Sequence, residues 1–145
     1  MFKHILIPTD GSELSEQAIA KAVALAKSVS AKVTGLTVSE PFHVFAADPM
    51  MVTDTEHGYR VHCEKRAAQY LDVIRKAAAA AGVAFNGLHV FAAQPYTSII
   101  STASDEGCDV ICMASHGRRG MSALVLGSET VKVLTHSKIP VLVLR

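Results

Sequence analysis

The sequence predicts an α/β fold, a doubly wound five-stranded parallel sheet with helices on both faces. Three observations predict it. Short β-branched runs alternate with longer stretches of helical period along the chain. The strand runs are continuously apolar, as expected of strands covered on both faces. Hydrophobic residues make up 50% of 145 residues, enough for such a core and too much for disorder. The length predicts a single domain, residues 1–145.

Each element follows in order. Ile5-Leu6-Ile7 reads as a buried strand ending at Pro8. Asp10-Gly11-Ser12 is a turn, and Ser12 caps a helix with Glu13 and Glu16 in its first turn. Leu14, Ala18, Ala22, Leu25 and Val29 form its expected apolar face. Val33 to Val38 is a second strand. Residues 39–56, with Pro41 and Pro49, read as an irregular surface loop with room for one helical turn. In that loop Phe42, His43, Phe45, Met50 and Met51 read as local packing or a partner surface, with a ligand-dependent flap as the alternative.

A long helix is expected from Glu56 to Ala81, with Cys63, Ala67, Tyr70, Leu71, Ile74, Ala78 and Ala81 facing inward. Gly82 suits a left-handed cap. Val83 to Phe91 is a third strand, and Pro95 to Glu106 a helix ended by Gly107. Val110 to Ala114 is a fourth strand with both faces buried. A glycine-rich loop, Ser115 to Gly127, leads to a helix from Glu129 to Thr135 with Ser128 as its cap. Ile139 to Leu144 closes the chain as a fifth strand. Pro140 cannot donate to a central ladder, which assigns this strand to a sheet edge or to pairing with another chain.

Composition excludes several partners. With 14 basic and 13 acidic residues the charge is +1, so no basic excess favours nucleic acid or an anionic membrane. Protonating all seven histidines would take it to about +8. No apolar run approaches the length of a membrane span. The N-terminus is too soon interrupted to read as a signal peptide. The three cysteines make neither a disulfide framework nor a zinc site. Cys108 and Cys112 read as small buried thiols, and a reducing cytoplasm is the expected compartment.

Ligands of open α/β sheets sit beyond the carboxyl ends of the strands, where strand order reverses. Two loops fall there, Pro8-Thr9-Asp10-Gly11-Ser12 and the segment from Ala114 to Glu129. In the second, Gly117 and Gly120 let backbone amides approach an anion. Gly127-Ser128 opens a helix, where free N–H groups favour negative charge, and Arg118 and Arg119 add positive charge. The competing reading is plain turns and a plain cap. No P-loop and no GxGxxG fingerprint is present. Gly117-Arg118-Arg119-Gly120 matches the GxxG of a KH domain, but the strand–loop–helix order and neutral charge argue against RNA.

Taken together, Ile5 to Ser12, Met113-Ala114-Ser115-His116-Gly117 and Gly127-Ser128 with Ile139 to Val143 resemble the universal stress protein family. The resemblance covers the whole chain. It implies an adenine-nucleotide α-hydrolase-like fold with strand order 3-2-1-4-5, and homodimers formed through the last strand, residues 139–144. It implies the subgroup that binds ATP, with Mg²⁺ accompanying the phosphates. That subgroup's loop reads glycine, two residues, glycine, nine residues, glycine, then serine or threonine. Gly117 and Gly127-Ser128 fit, whereas Ala114 replaces the first glycine.

Carried over by position, Pro8, Thr9 and Asp10 border the ligand, Asp10 near the ribose or a metal. Val38 would hold the base by backbone bonds. Met113 and Ala114 would line base and ribose. Gly117, Arg118, Gly120, Gly127, Ser128, Glu129 and Thr130 would surround the phosphates. His116 beside the cradle is either a phosphate contact, a general base, or a loop histidine bonded to backbone. The expected function is an ATP-binding dimeric regulatory module in stress response. The alternatives are a dimeric interaction protein that binds no nucleotide, and a slow ATPase using Asp10 or His116, for which the missing P-loop lysine predicts poor turnover.

Overall fold

The computed structural model describes residues 1–42, 55–117 and 125–145. The elements in chain order are β1 (His4–Pro8), α1 (Glu13–Val29), β2 (Lys32–Ser39), α2 (Glu56–Ala81), β3 (Phe85–Phe91), α3 (Pro95–Asp105), β4 (Val110–Ala114), α4 (Ser128–His136) and β5 (Val141–Leu144). The five strands form one sheet in the order β3-β2-β1-β4-β5, all neighbours parallel. The order reverses between β1 and β4, so the loops leaving those two strands lie side by side.

β1, β2 and β4 are buried because helices cover both their faces. On one face, Ile5, Ile7, Val33 and Cys112 pack with Ile19 and Val23 of α1 and Ile74 of α2. On the other, Leu6, Leu36 and Ile111 pack with Ile99 of α3 and Val133 of α4. Each such aliphatic side chain stabilises the fold by roughly 1.5–3 kcal/mol. β5 lies at the sheet edge, as Pro140 requires. The Pro140 carbonyl still accepts from the Ile111 N–H at 2.9 Å.

Four expectations need correction. The face of α1 is Ala18, Ile19, Ala22, Val23 and Ala26, while Leu14 is 39% exposed. Alanines carry little directional information, and the larger Ile19 and Val23 set the face. Leu25 and Val29 pack at its margin. β3 begins at Phe85, because Val83 is spent on the α2 cap: the Gly82 N–H donates to Ala79 O and the Val83 N–H to Ala78 O. β5 begins at Val141, because Ser137 Oγ closes a turn by bonding both the N–H and the carbonyl of Ile139. The cap of α4 is Gly127, whose extended backbone (φ −62°, ψ 151°) precedes Ser128 in the first helical position. The proposed helical turn within residues 43–54 lies outside the described residues.

Candidate functional site

The β1 loop is locked from within. The Thr9 N–H donates to Leu36 O at 2.8 Å, and the Thr9 carbonyl accepts from the Thr37 hydroxyl at 3.1 Å. Thr9 Oγ1 accepts from the Gly11 N–H at 3.2 Å and the Ser15 hydroxyl at 2.9 Å. Asp10 Oδ1 accepts from the Ser12 N–H at 3.0 Å, bending the chain toward α1. Gly11 has φ +76°, and the Tyr70 ring of α2 lies against its Cα. The turn therefore needs a residue without a side chain for two independent reasons.

The β4 loop is pinned through Ser115. Its N–H donates to Leu144 O at 3.1 Å, and its carbonyl accepts from the Gly127 N–H at 2.8 Å. Its hydroxyl sits 2.9 Å from His116 Nδ1. Residue 127 is thereby drawn beside residue 115, and α4 points its N-terminus at the end of β4. A side-chain carbon at Gly127 would come within 3.3 Å of His116 Cα, tighter than packing normally allows. One at Gly117 would collide with the Asp10 carboxylate.

α4 has no side-chain cap, so the amides of Ser128, Glu129 and Thr130 precede its first internal acceptor. The Thr130 hydroxyl donates to Ala114 O at 3.0 Å. Glu129 turns away to cap a different helix: its Oε2 accepts from the Tyr96 N–H of α3 at 3.0 Å, and its Oε1 meets Lys132 Nζ at 3.1 Å. Ala114, the departure from the glycine pattern, is an ordinary strand residue; Ser30 is the one non-glycine residue at positive φ among those described. Alanine there costs no backbone strain and adds only a methyl.

These loops wall a cavity of about 560 Å³. Where the β1 and β4 loops meet, it is bordered by Asp10, His116, Gly117, Gly127, Ser128 and Thr130. Pro8, Thr9, Val38, Met113, Ala114 and Glu129 line it as well, so every predicted site residue within the described segments reaches it. Arg118 and Gly120, like Arg119 and the loop residues His43, Phe45, Met50 and Met51, lie outside the described residues.

Sequence reasoning missed the walls at the β2–β3 end: Leu36, Ser39, Glu40, Ala92, Ala93 and Arg66. The carboxyl-end rule applied to β2 and β3 would have found all but Arg66. That residue reaches the cavity from α2, with Nη2 set 3.8 Å from Cys63 Sγ, and no pattern marked it. Ser15 of α1, and Pro95 and Ile99 of α3, complete the wall.

The shifted titratable groups lie elsewhere. Burial lowers the pKa of His4, whose Nε2 is 2.8 Å from Thr34 Oγ1. Burial likewise lowers that of His89, bonded to Ser39 Oγ at 2.8 Å. Burial pushes the Cys108 and Cys112 thiols up to about 11. Among the described residues no three His, Cys, Asp or Glu side chains cluster to hold a metal ion. No described helix is long and apolar enough to cross a membrane.

Fold and cavity together define an α/β protein of the adenine-nucleotide α-hydrolase-like class. The model of the universal stress protein family matches residues 1–145, and the chain belongs to that family. It is 30% identical over 149 residues to the universal stress protein YxiE of Bacillus subtilis, covering 100% of both chains. The solved structure of MJ0577, a universal stress protein of Methanocaldococcus jannaschii, superposes with a TM-score of 0.83 at 30% identity, covering 99% of this chain and 96% of that one. A universal stress protein solved in complex with cAMP superposes with a TM-score of 0.70 at 21% identity, covering 99% of this chain and 97% of that one.

Proposed function

We propose that this chain is a nucleotide-binding regulatory module that takes ATP. The observation that carries the reading is the glycine-walled cavity at the strand-order reversal, with an uncapped helix N-terminus at one end and apolar strand termini at the other. A flat base fits between Val38, Leu36 and Met113, with Val38 offering its backbone to the base edge. The phosphates fit against Gly117, Gly127 and the amides that open α4. Arg118 and Gly120 belong to the same loop by sequence. The fold neighbour carrying cAMP shares the architecture and lends support at that level only.

Mg²⁺ fits this site as a companion of the nucleotide. It takes few protein carboxylates and completes its shell with phosphate oxygens and water. Asp10 supplies the carboxylate, and Glu129 is already engaged with α3. When bound, the ion would neutralise phosphate charge beside Asp10. This chain's own residues then bind and orient, and none is assigned a proton-transfer step.

We further read residues 1–145 as one domain that works in the cytoplasm as a homodimer. The β5 edge supports the dimer, because an apolar edge strand left in water invites pairing. Calorimetry with ATP and Mg²⁺, with mass spectrometry of the purified protein, tests the binding. Retained ATP or micromolar affinity is expected. Folded protein that neither carries nor binds nucleotide would instead make this a dimeric interaction protein. Light scattering on Leu142→Arg, a residue 39% exposed on β5, tests the dimer and should report a monomer.

A further inference from the structure

Tyr70 of α2 is not among the described residues that line the cavity, yet its ring bears on the turn that carries Asp10. Ala67 and Ile74, one turn to either side on the same helix face, are fully buried. Ile74 packs with Ile5, Ile7 and Val33 of the sheet, which fixes where the ring stands. The ring lies against the Cα of Gly11, whose φ is +76°. The next peptide supplies the Ser12 N–H, which donates to Asp10 Oδ1 at 3.0 Å. The conformation of Gly11 sets the direction of that N–H, and with it the carboxylate. The other oxygen, Asp10 Oδ2, occupies the space into which a side chain at Gly117 would project. A continuous chain of contacts therefore runs from α2 through Gly11 and Asp10 to the loop after β4.

We propose that Tyr70 is a positioning residue of the site: its ring holds Gly11, and through Gly11 the Asp10 carboxylate, so that α2 governs the fit of the ligand. The proposal rests on the nucleotide reading above and deepens it. Glycine enters left-handed and right-handed backbone almost equally well, so Gly11 alone does not specify the turn. Two hydrogen bonds hold it from within, Gly11 N–H to Thr9 Oγ1 at 3.2 Å and Ser12 N–H to Asp10 Oδ1. The Tyr70 ring holds it from outside. Gly11 meets the ring carbons Cδ1, Cε1 and Cζ, so the flat ring rather than the hydroxyl makes this contact. Ligand contacts that depend on Asp10 then depend on residue 70 as well.

A double-mutant cycle separates positioning from a general loss of packing. Wild type, Tyr70→Phe, Tyr70→Ala, Asp10→Asn and the Tyr70→Ala/Asp10→Asn double variant are compared by calorimetry with ATP and Mg²⁺. Tyr70→Phe keeps the ring and should bind as wild type does. Tyr70→Ala and Asp10→Asn should each lose about 10–100-fold in affinity, the range for one hydrogen bond to a charged group. The double variant should lose no more than Asp10→Asn alone, because Tyr70 acts through that carboxylate. Should Tyr70→Ala not fold, Tyr70→Leu, which keeps apolar bulk without the flat ring, takes its place in the cycle. Additive losses, or wild-type affinity in either single variant, overturn the proposal.

The ligand-free protein supplies a readout that needs no nucleotide. In ¹H–¹⁵N NMR spectra the Gly117 amide should move in Tyr70→Ala and stay in place in Tyr70→Phe, since only the first releases Asp10. A Gly117 amide unmoved by Tyr70→Ala overturns the proposal and leaves the nucleotide reading intact. Wild type that binds no ATP, with a Gly117 amide that still responds to residue 70, overturns the nucleotide reading and supports the linkage from Tyr70 to the β4 loop.

Discussion

The Asp10 carboxylate occupies the space into which a side chain at Gly117 would project. The loops after β1 and β4 thus approach one another through a carboxylate on one side and a bare Cα on the other. Gly117 has no positive φ, so its requirement for glycine is one of space alone. Gly117→Ala should displace Asp10 and lower ATP affinity at least about tenfold by calorimetry. Its effect on stability should stay within about 1 kcal/mol in urea, since the residue lies at the surface.

Gly127 is enclosed by backbone, with His116 Cα 3.3 Å and Ser115 O 3.4 Å from the added carbon. Backbone cannot rotate away as a side chain can. Gly127→Val should abolish ATP binding and destabilise the protein by about 1–3 kcal/mol, as overpacking does. Urea denaturation with and without nucleotide separates the two effects.

Gly11 and Gly82 share a left-handed backbone, φ +76° and +70°, but differ in surroundings. A carbon added at Gly82 meets nothing within 4 Å, whereas one at Gly11 meets the Tyr70 ring. Gly82→Ala should cost about 1–2 kcal/mol, the left-handed penalty alone. Gly11→Ala should cost more. Equal losses in thermal unfolding would show that the Tyr70 ring yields freely.

Burial depresses the folded-state pKa of His4 and His89 below the ordinary 6.5. The unfolded chain therefore binds more protons once pH falls toward 6.5. The stability these neutral rings contribute is fully present above that value, and is lost as pH falls through it toward their folded pKa. The melting temperature should drop on acidification from pH 7 to 5, and His4→Gln should flatten the slope. A profile identical in wild type and variant would remove His4 from the account.

Cys108 and Cys112 are buried, with thiol pKa values raised to about 11. Thiolate is the reactive form. Iodoacetamide at pH 8 should leave both unmodified in folded protein and label both in denaturant, as read by mass spectrometry.

Much of this fold was legible because the signals were local. Ile5 to Ile7 and Val110 to Ala114 read as buried strands from their unbroken apolar character, and Pro140 marked an edge. Gly82 declared a cap. What escaped was set by partners distant in sequence. Leu14 and Ile19 compete for one helix face, and only the sheet decides between them. Ser128 looked like a cap, but Ser115 O captures the Gly127 N–H and shifts the helix start by one residue. Arg66 reaches the cavity from a helix whose polar face looks uniformly solvated. Glu129 read as a phosphate neighbour, yet its carboxylate serves α3.

The Gly127 N–H to Ser115 O bond has a polymer-statistical consequence. Residues 115 and 127 are joined directly by this bond, so whatever chain lies between them is closed at a fixed clasp. Closing such a loop costs entropy that grows only with the logarithm of its length, about 0.6 kcal/mol per doubling. The clasp is set by strand register, so the stability of the sheet depends only weakly on the length of chain it closes, whatever that chain does for a ligand. Segments of different length grafted between residues 117 and 126 should therefore leave the sheet's unfolding midpoint almost unmoved.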